Sequence, residues 1–382
     1  MRRHDCPTPL LGGLSPRRFL AHHWQRRPLI APGAVEGFAD LLSPRELMAL
    51  ACREDAQSRV VVRRGGRWQV HHGPFEPRFF RRLSARGWTL LVQDVNHHLP
   101  GARALLERFD FIPYARLDDL MVSYAPPGGG VGPHFDSYDV FLLQGLGRRR
   151  WSISSQRDLT LLPDTPLKLI AAFRPQRAWV LGPGDMLYLP PACAHEGVAQ
   201  DECMTYSIGF RAPAWQELAV EFLSYLQDQM ALEGMYADPG LEPTLRPARI
   251  GTGLLRAACS RLDRIRWSRG DILRFLGRHL TEPKSHVFFE PPQRALSLHD
   301  FRRRAVRAGV TLALKSQMLY EGSQVFINGE AEQLSGRALH RVRMLADRHR
   351  LRPGNDDPQG LFEQLYRWYR AGWLEIDAQR SQ

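Results

Sequence analysis

Only three of the chain's 52 basic residues are lysine: Lys168, Lys284 and Lys315. The formal net charge is nevertheless +12, so it is carried by arginine. A basic chain can contact nucleic acid or a ribosome. Net charge speaks to association and not to fold, however, and an arginine skew follows codon usage as readily as a binding face. Cysteine is scarce too. Cys6, Cys52, Cys193, Cys203 and Cys259 are scattered, odd in number and never spaced Cys-x-x-Cys. That argues against a disulfide framework or a thiolate zinc site. Cys193, two residues before His195, reads as a packing residue. No apolar run is long enough to span a bilayer. The stretch Met1-Arg-Arg-His-Asp-Cys-Pro lacks the apolar core of a secretory signal. The expected location is the cytoplasm, with no membrane partner. There is no internal repeat and no low-complexity tract.

The 382 residues suffice for two or three domains. Ser15-Pro16 and Ser43-Pro44 each read as an N-cap followed by proline at the first helical position. Val60-Val-Val-Arg and Trp68-Gln-Val form a hairpin pattern around Arg64-Gly-Gly-Arg67. From about 88 to 212 short β-type runs recur between Gly and Pro: Trp88-Thr-Leu-Leu-Val, Asp119-Leu-Met-Val-Ser-Tyr, Tyr138-Asp-Val-Phe-Leu-Leu-Gln, Arg150-Trp-Ser-Ile, Arg177-Ala-Trp-Val-Leu, Asp185-Met-Leu-Tyr-Leu and Met204-Thr-Tyr-Ser-Ile-Gly-Phe. This predicts an antiparallel sandwich or barrel. From 213 the period becomes helical, with Leu218, Phe222, Leu226 and Met230 on one face. The plain reading of that stripe is intramolecular core. A second helical region runs from Gly251 to Leu280. After 281 helix and strand mix: a strand at Val287-Phe-Phe-Glu, a helix over Ser297 to Arg307, a strand from Ser323 into an Asn-Gly turn, helices from about Ser335 and Gln359, then Trp373-Leu-Glu-Ile. Helices with an Asn-Gly hairpin are compatible with a winged-helix module.

Chemistry concentrates in Gly132-Pro-His-Phe-Asp-Ser-Tyr-Asp. His134 and Asp136 are two apart on a strand or its entry, where alternation puts both side chains on the same face and each offers one ligand to a single metal. His195, just past the strand ended by Pro190-Pro191, supplies a third. Two histidines and one carboxylate leave three positions open, the facial triad of non-haem Fe(II) oxygenases. The paired histidines His22-His23, His71-His72 and His97-His98 lack that context and read as non-ligands. 2-Oxoglutarate would need a cation for its distal carboxylate, and Arg148-Arg-Arg150 is the candidate cluster. Arg149 points opposite to its two neighbours, but parity alone does not say which face is inward.

At these residues the chain resembles a known family. Pro126-Pro-Gly-Gly-Gly-Val-Gly-Pro-His-Phe-Asp-Ser-Tyr-Asp-Val-Phe-Leu-Leu-Gln-Gly-Leu-Gly-Arg-Arg-Arg-Trp, Leu189-Pro-Pro-Ala-Cys-Ala-His-Glu-Gly and Tyr206-Ser-Ile-Gly-Phe-Arg-Ala-Pro resemble the bacterial ribosomal oxygenases of the Jumonji-C group. The resemblance implies an α+β fold: a double-stranded β-helix (cupin/Jumonji-C) core, a helical dimerisation region and a C-terminal winged-helix domain. The corresponding segments are 1–212 (core about 88–212), 213–280 and 281–382. It implies an Fe(II)- and 2-oxoglutarate-dependent dioxygenase that uses O2 to hydroxylate an arginine β-carbon in a large-subunit ribosomal protein of the L-sixteen family. It also implies a homodimer. The metal ligands carry over to His134, Asp136 and His195, and the 2-oxoglutarate arginine to Arg149. Ser123 and Ser207 stand where the family places small polar groups near the cosubstrate, and Asp118 or Asp119 could meet the substrate guanidinium. The alternatives are a cupin-core oxygenase acting on another protein residue, or a nucleic-acid-binding protein with a vestigial core. In either half of the chemistry the cofactor supplies reactivity and the protein supplies orientation.

Overall fold

The proline-led caps work as the sequence predicts. Ser15 caps α1 (Pro16–His22) by accepting from the Arg18 N–H, and β1 (Leu29–Ala31) follows. Ser43 and Glu46 form a reciprocal capping box on α2 (Pro44–Leu50). The hairpin of β2 (Ser58–Arg64) and β3 (Arg67–His72) turns on Gly65 and Gly66 at φ 56° and 78°. Both central residues of such a tight turn need positive φ, which only glycine takes freely. The computed structural model describes residues 3–377, so Met1 and Arg2 of the N-terminal stretch lie outside the described residues.

Next come α3 (Pro77–Arg81), β4 (Trp88–Val92), α4 (Pro100–Leu106), β5 (Leu117–Ala125), β6 (Asp139–Gln144), β7 (Arg149–Ser154), β8 (Arg177–Leu181), β9 (Met186–Leu189), β10 (Ala194–Ala199) and β11 (Cys203–Phe210). Eight strands pair antiparallel in the order β1-β9-β6-β11-β5-β4-β2-β3, and a smaller sheet runs β10-β7-β8. The two layers close on each other as a double-stranded β-helix. β6 illustrates why. Phe141 and Leu143 pack outward with Phe19 and Leu47 of the N-terminal helices, while Val140 and Leu142 pack inward with Trp151, Ile153 and Leu181 of the small sheet. With both faces covered, all of β6 is buried, and its middle, Val140 to Leu143, reads as an unbroken apolar run.

The helices α5 (Trp215–Gln229), α6 (Thr252–Leu262) and α7 (Arg269–Thr281) follow. The apolar stripe of α5 is intramolecular in part: Leu226 is buried and the Phe222 ring meets those of Trp267 and Phe275. The last region holds α8 (Leu298–Ala308), β12 (Val310–Leu312), β13 (Met318–Glu321), β14 (Gln324–Ile327), β15 (Glu330–Gln333), α9 (Gly336–Arg348), β16 (Arg350–Leu351), α10 (Gln359–Arg370) and β17 (Leu374–Ile376). It has its own core around Phe301, Leu345, Leu365 and Trp368. The β14–β15 turn uses Asn328 and Gly329 at φ 49° and 85°. One expectation fails. Val287–Glu290 is not a strand: no neighbouring strand pairs with it and Phe288 is 67% exposed. The expected boundary at 281 falls on the last residue of α7, whose Gly277 sits so close to the Phe326 ring of β14 that a Cβ there would overlap it. The helical and winged-helix stretches therefore share a packed contact.

The winged-helix region also grips the core. Arg103 on α4 donates to the carbonyls of Leu312 and Ala313, and the Tyr114 and His349 rings lie 4.8 Å apart. No helix among the described residues is long and apolar enough to cross a membrane.

Candidate metal and cosubstrate centre

His134 and His195 are joined before their side chains matter. His134 N donates to His195 O at 2.9 Å, and His195 N donates to His134 O at 2.8 Å. This isolated bridge lies at the mouth of the barrel, where the Gly132–Pro133 stretch leads toward β6. His195 is thus the second residue of β10, not a residue hanging past a strand end. The tight turn before it was invisible to pattern reading: Ala192 takes φ 60° and donates to Asp136 O at 2.7 Å. That hydrogen bond ties the third residue of the cluster to the strand bearing the second histidine.

The donor atoms of His134, Asp136 and His195 all lie within 4.8 Å of one another. His134 Nδ1 is 2.9 Å from Gly132 O, and His195 Nδ1 is 2.9 Å from Cys193 O. A carbonyl can only accept, so each Nδ1 carries the proton and each Nε2 presents its lone pair. The His195 ring is pushed down to about 4, by burial first and then by the neighbouring His134, with Asp136 pulling the other way. It is therefore neutral at physiological pH, the form that binds a metal. His195 Nε2 is 3.7 Å from Asp136 Oδ2. Two imidazole lone pairs beside a carboxylate suit a divalent transition metal with open positions. Among the described residues this is the one such cluster, and the paired histidines stand outside it.

The cluster opens into a cavity of about 330 Å3 that Arg149 also lines. Strand parity is now settled. Arg149 faces inward with Trp151, its guanidinium carbon 5.7 Å from that ring, while Arg150 is exposed. Arg148 is exposed as well and pairs with Asp201 at 2.9 Å. Arg149 is only 3% exposed, and its Nε and Nη2 have no hydrogen-bond partner. A buried guanidinium without a partner calls for an anion. Ser123 and Ser207 line the same cavity, as does Thr205, whose hydroxyl donates to Gln144 Oε1 at 3.0 Å. A dicarboxylate fits this lining: one end at the open metal positions, the other on Arg149.

Two further carboxylates line the cavity, Asp118 and Asp119, alongside the cations Arg59 and Lys168. Alternation along β5 puts Asp119, Met121 and Ser123 on the cavity side, with Leu120 and Val122 in the outer core. Asp118 joins them at the mouth, next to a register shift between β5 and β11. Gly209 on β11 lies alongside both carboxylates; a Cβ there would stand 3.4 Å from Asp119 Oδ1. The Asp119 carboxyl is pushed up to about 7, mainly by burial and then by Asp94.

A JmjC-domain family model matches residues 104–218, and a ROXA-like winged-helix model matches 264–375. The chain is 35% identical over 321 residues to the ribosomal protein uL16 3-hydroxylase of Escherichia coli, spanning 82% of this chain and 84% of that one. The chain belongs to the JmjC ribosomal oxygenases. A probable ribosomal oxygenase of Haemophilus influenzae is 36% identical over 60% of this chain and 55% of its own length. The solved structure of the E. coli ribosomal oxygenase YcfD with cobalt and 2-oxoglutarate aligns over 96% of this chain and 99% of that one, with TM-score 0.80 and 32% identity. The fold of this family is thus the fold described above, winged helix included.

Sequence reasoning missed several cavity residues. Thr205 could have been found, because it alternates with Ser207 on a strand already recognised. Arg59 and Lys168 carried no signal, since each reaches the cavity from an element whose place is set by long-range packing. The same holds for Asp94 and Lys284, treated below.

Proposed function

We propose that this chain is an Fe(II)- and 2-oxoglutarate-dependent protein hydroxylase acting on the β-carbon of an arginine in a large-subunit ribosomal protein of the uL16 type. The observation that carries the reading is the unpartnered Arg149 guanidinium buried in the same cavity as the His134–Asp136–His195 cluster. The E. coli relative's name and the family fold support the substrate.

His134 and His195 would hold the metal through Nε2 and Asp136 through its carboxylate, leaving three adjacent positions open. Arg149 would anchor the distal carboxylate of 2-oxoglutarate, with the Ser123 and Ser207 hydroxyls beside it. Bound iron, with 2-oxoglutarate and dioxygen, supplies the oxidising power for an unactivated C–H bond. The chain's own contribution is position. Asp119 and Asp118 at the mouth draw a cationic side chain and fix its tip, so the carbon presented to the metal is set by the distance between two anchors. The apolar lining of Leu142, Trp151 and Leu169 limits water around the reacting atoms.

The protein acts as a homodimer in this reading. Trp215, Leu223, Leu241 and Leu245 are exposed on α5 and the segment after it, an apolar surface that a second copy would cover. In this reading the enzyme works in the cytoplasm, where it would meet a ribosomal substrate. The test is anaerobic loading with Fe(II) and 2-oxoglutarate, admission of air, and mass spectrometry of ribosomal proteins. One added oxygen on a single arginine is expected. Succinate release without any modified protein would overturn the substrate, and no succinate at all would overturn the enzyme class.

A further inference from the structure

Lys284 lies in the segment between α7 and α8, inside the stretch matched by the winged-helix family model. It does not line the active-site cavity, yet its ammonium reaches the cavity's acidic end. Nζ stands 2.8 Å from Asp94 Oδ1 and 3.4 Å from Asp118 Oδ1. The Asp94 side chain is only 2% exposed. Asp94 holds a left-handed backbone at φ 53°, and from that conformation its N–H donates to Asp119 Oδ2 at 3.1 Å. A continuous polar chain therefore runs from Lys284 through Asp94 to Asp119, and Asp119 lines the cavity.

Three carboxylates converge here, and like charges this close stay ionised only beside a cation. Two other basic groups stand nearby: Arg211 Nε is 3.4 Å from Asp118 Oδ1, the oxygen that Lys284 also approaches, and His286 Nε2 is 3.2 Å from Asp94 Oδ2. Of the two ammonium and guanidinium groups, only Lys284 also contacts Asp94. His97 also faces Asp94, but burial above all pushes its ring down to about 4, so it is neutral. Burial pushes the Asp94 carboxyl up, and Lys284 is the largest influence holding it down. Lys284 also lowers Asp119, against its burial and against Asp94. Without the ammonium, nothing would offset the burial of Asp119 and its repulsion by Asp94 and Asp118, and the Asp94 carboxylate would lose its closest cation.

We infer that Lys284 is a positioning residue for the carboxylates that recognise the substrate, so that the winged-helix half of the chain sets the cavity's affinity for a cationic side chain. The inference rests on the reading of the cavity given above, in which Asp118 and Asp119 meet an arginine. It gives the winged helix a role in the reaction without any contact to substrate.

The test compares Lys284→Met, Lys284→Arg and Lys315→Met in the full-length protein. Lys315 is the control, because it makes another core-to-winged-helix ion pair, with Asp55 at 3.5 Å rather than with Asp94, Asp118 or Asp119. Two binding constants are measured on the Mn(II)-loaded protein: one for 2-oxoglutarate, one for an arginine-containing peptide from the uL16-type substrate. KM and kcat are then measured with iron. Lys284→Met is expected to weaken peptide binding and raise peptide KM by about tenfold or more. The 2-oxoglutarate constant and kcat should stay within about twofold. Lys284→Arg, which keeps the charge, should recover most of the loss, and Lys315→Met should leave the peptide constants unchanged. Unchanged peptide binding in Lys284→Met, or equal losses in Lys284→Met and Lys315→Met, would overturn the inference while leaving the enzyme reading intact. Wild-type protein that binds 2-oxoglutarate but no arginine peptide would instead remove the substrate reading, and this inference with it. Should Lys284→Met fail to fold, Asp94→Asn carries the test. It keeps the backbone N–H and removes the ammonium's partner, and it too is expected to raise peptide KM with kcat unchanged.

Discussion

Replacing Arg149 by methionine should move stability and cosubstrate binding in opposite directions. In the free protein Arg149 is a buried cation whose Nε and Nη2 lack partners. Each unsatisfied group of this kind costs about 1–3 kcal/mol. Set against this is the contact with the Trp151 ring at 5.7 Å, worth about 0.5–2 kcal/mol. Methionine keeps the apolar stem and removes the charge. The free variant is therefore expected to be more stable by about 1–2 kcal/mol, read as a rise in Tm of a few degrees. With 2-oxoglutarate present the balance reverses. A charge-assisted bidentate pair is worth about 1.5–3 kcal/mol, so Kd should rise by about ten- to a hundredfold. The assay is thermal unfolding of wild type and Arg149→Met, loaded with Mn(II), across a 2-oxoglutarate titration, with calorimetric Kd values alongside. The two stability curves should cross as the cosubstrate concentration rises. A variant less stable than wild type without cosubstrate, combined with unchanged affinity, would refute the reasoning, because Arg149 would then be a structural cation with a partner of its own.

Asp136→Ala removes the one anionic donor of the cluster and should abolish 2-oxoglutarate turnover and Mn(II) binding; succinate production at the wild-type rate would contradict the proposed ligand set. Peptide affinity should fall as pH drops through about 7, because Asp119, held up to about 7 mainly by burial, gains a proton and loses its attraction for a cation; Asp119→Asn should bind weakly at every pH and show a flat profile. The sign for stability is opposite: the folded state binds this proton more tightly than the unfolded one, so the Asp119 contribution declines as pH rises from 3.8 to about 7, and Asp119→Asn should make unfolding less pH-dependent there. Gly277→Ala should destabilise the chain by about 1–2 kcal/mol, since overpacking against Phe326 outweighs the gain of about 1 kcal/mol in helix propensity; an unchanged Tm would mean that α7 and β14 separate without penalty. Leu223→Glu should shift the protein from dimer to monomer in sedimentation, and wild-type protein that sediments as a monomer would leave the exposed face of α5 without the proposed occupant.

The sequence by itself determined what is local. Ser15-Pro16 and Ser43-Pro44 started their helices because cap and proline act within one turn. The Gly65-Gly66 and Asn328-Gly329 turns followed because positive φ is a property of single residues. His134 and Asp136 were legible as a pair from their spacing and the motif around them, which carried the family; strand alternation does not place them, since both precede β6, His134 making only an isolated bridge and Asp136 standing in no strand. Tertiary structure decided everything that depends on which distant segment lies alongside. The face Arg149 presents was undetermined until β7 was seated between β10 and β8 with its other side in solvent. His195 became the partner of His134 through two backbone hydrogen bonds that span sixty-one residues of chain. Val287–Glu290 has the composition of a strand and is none, because no strand lies alongside to pair with it. Lys284 carried no pattern at all. Its position beside Asp94 and Asp118 exists only because the winged-helix region docks on the core, and electrostatic influence depends on distance in space, which spacing along the chain does not encode.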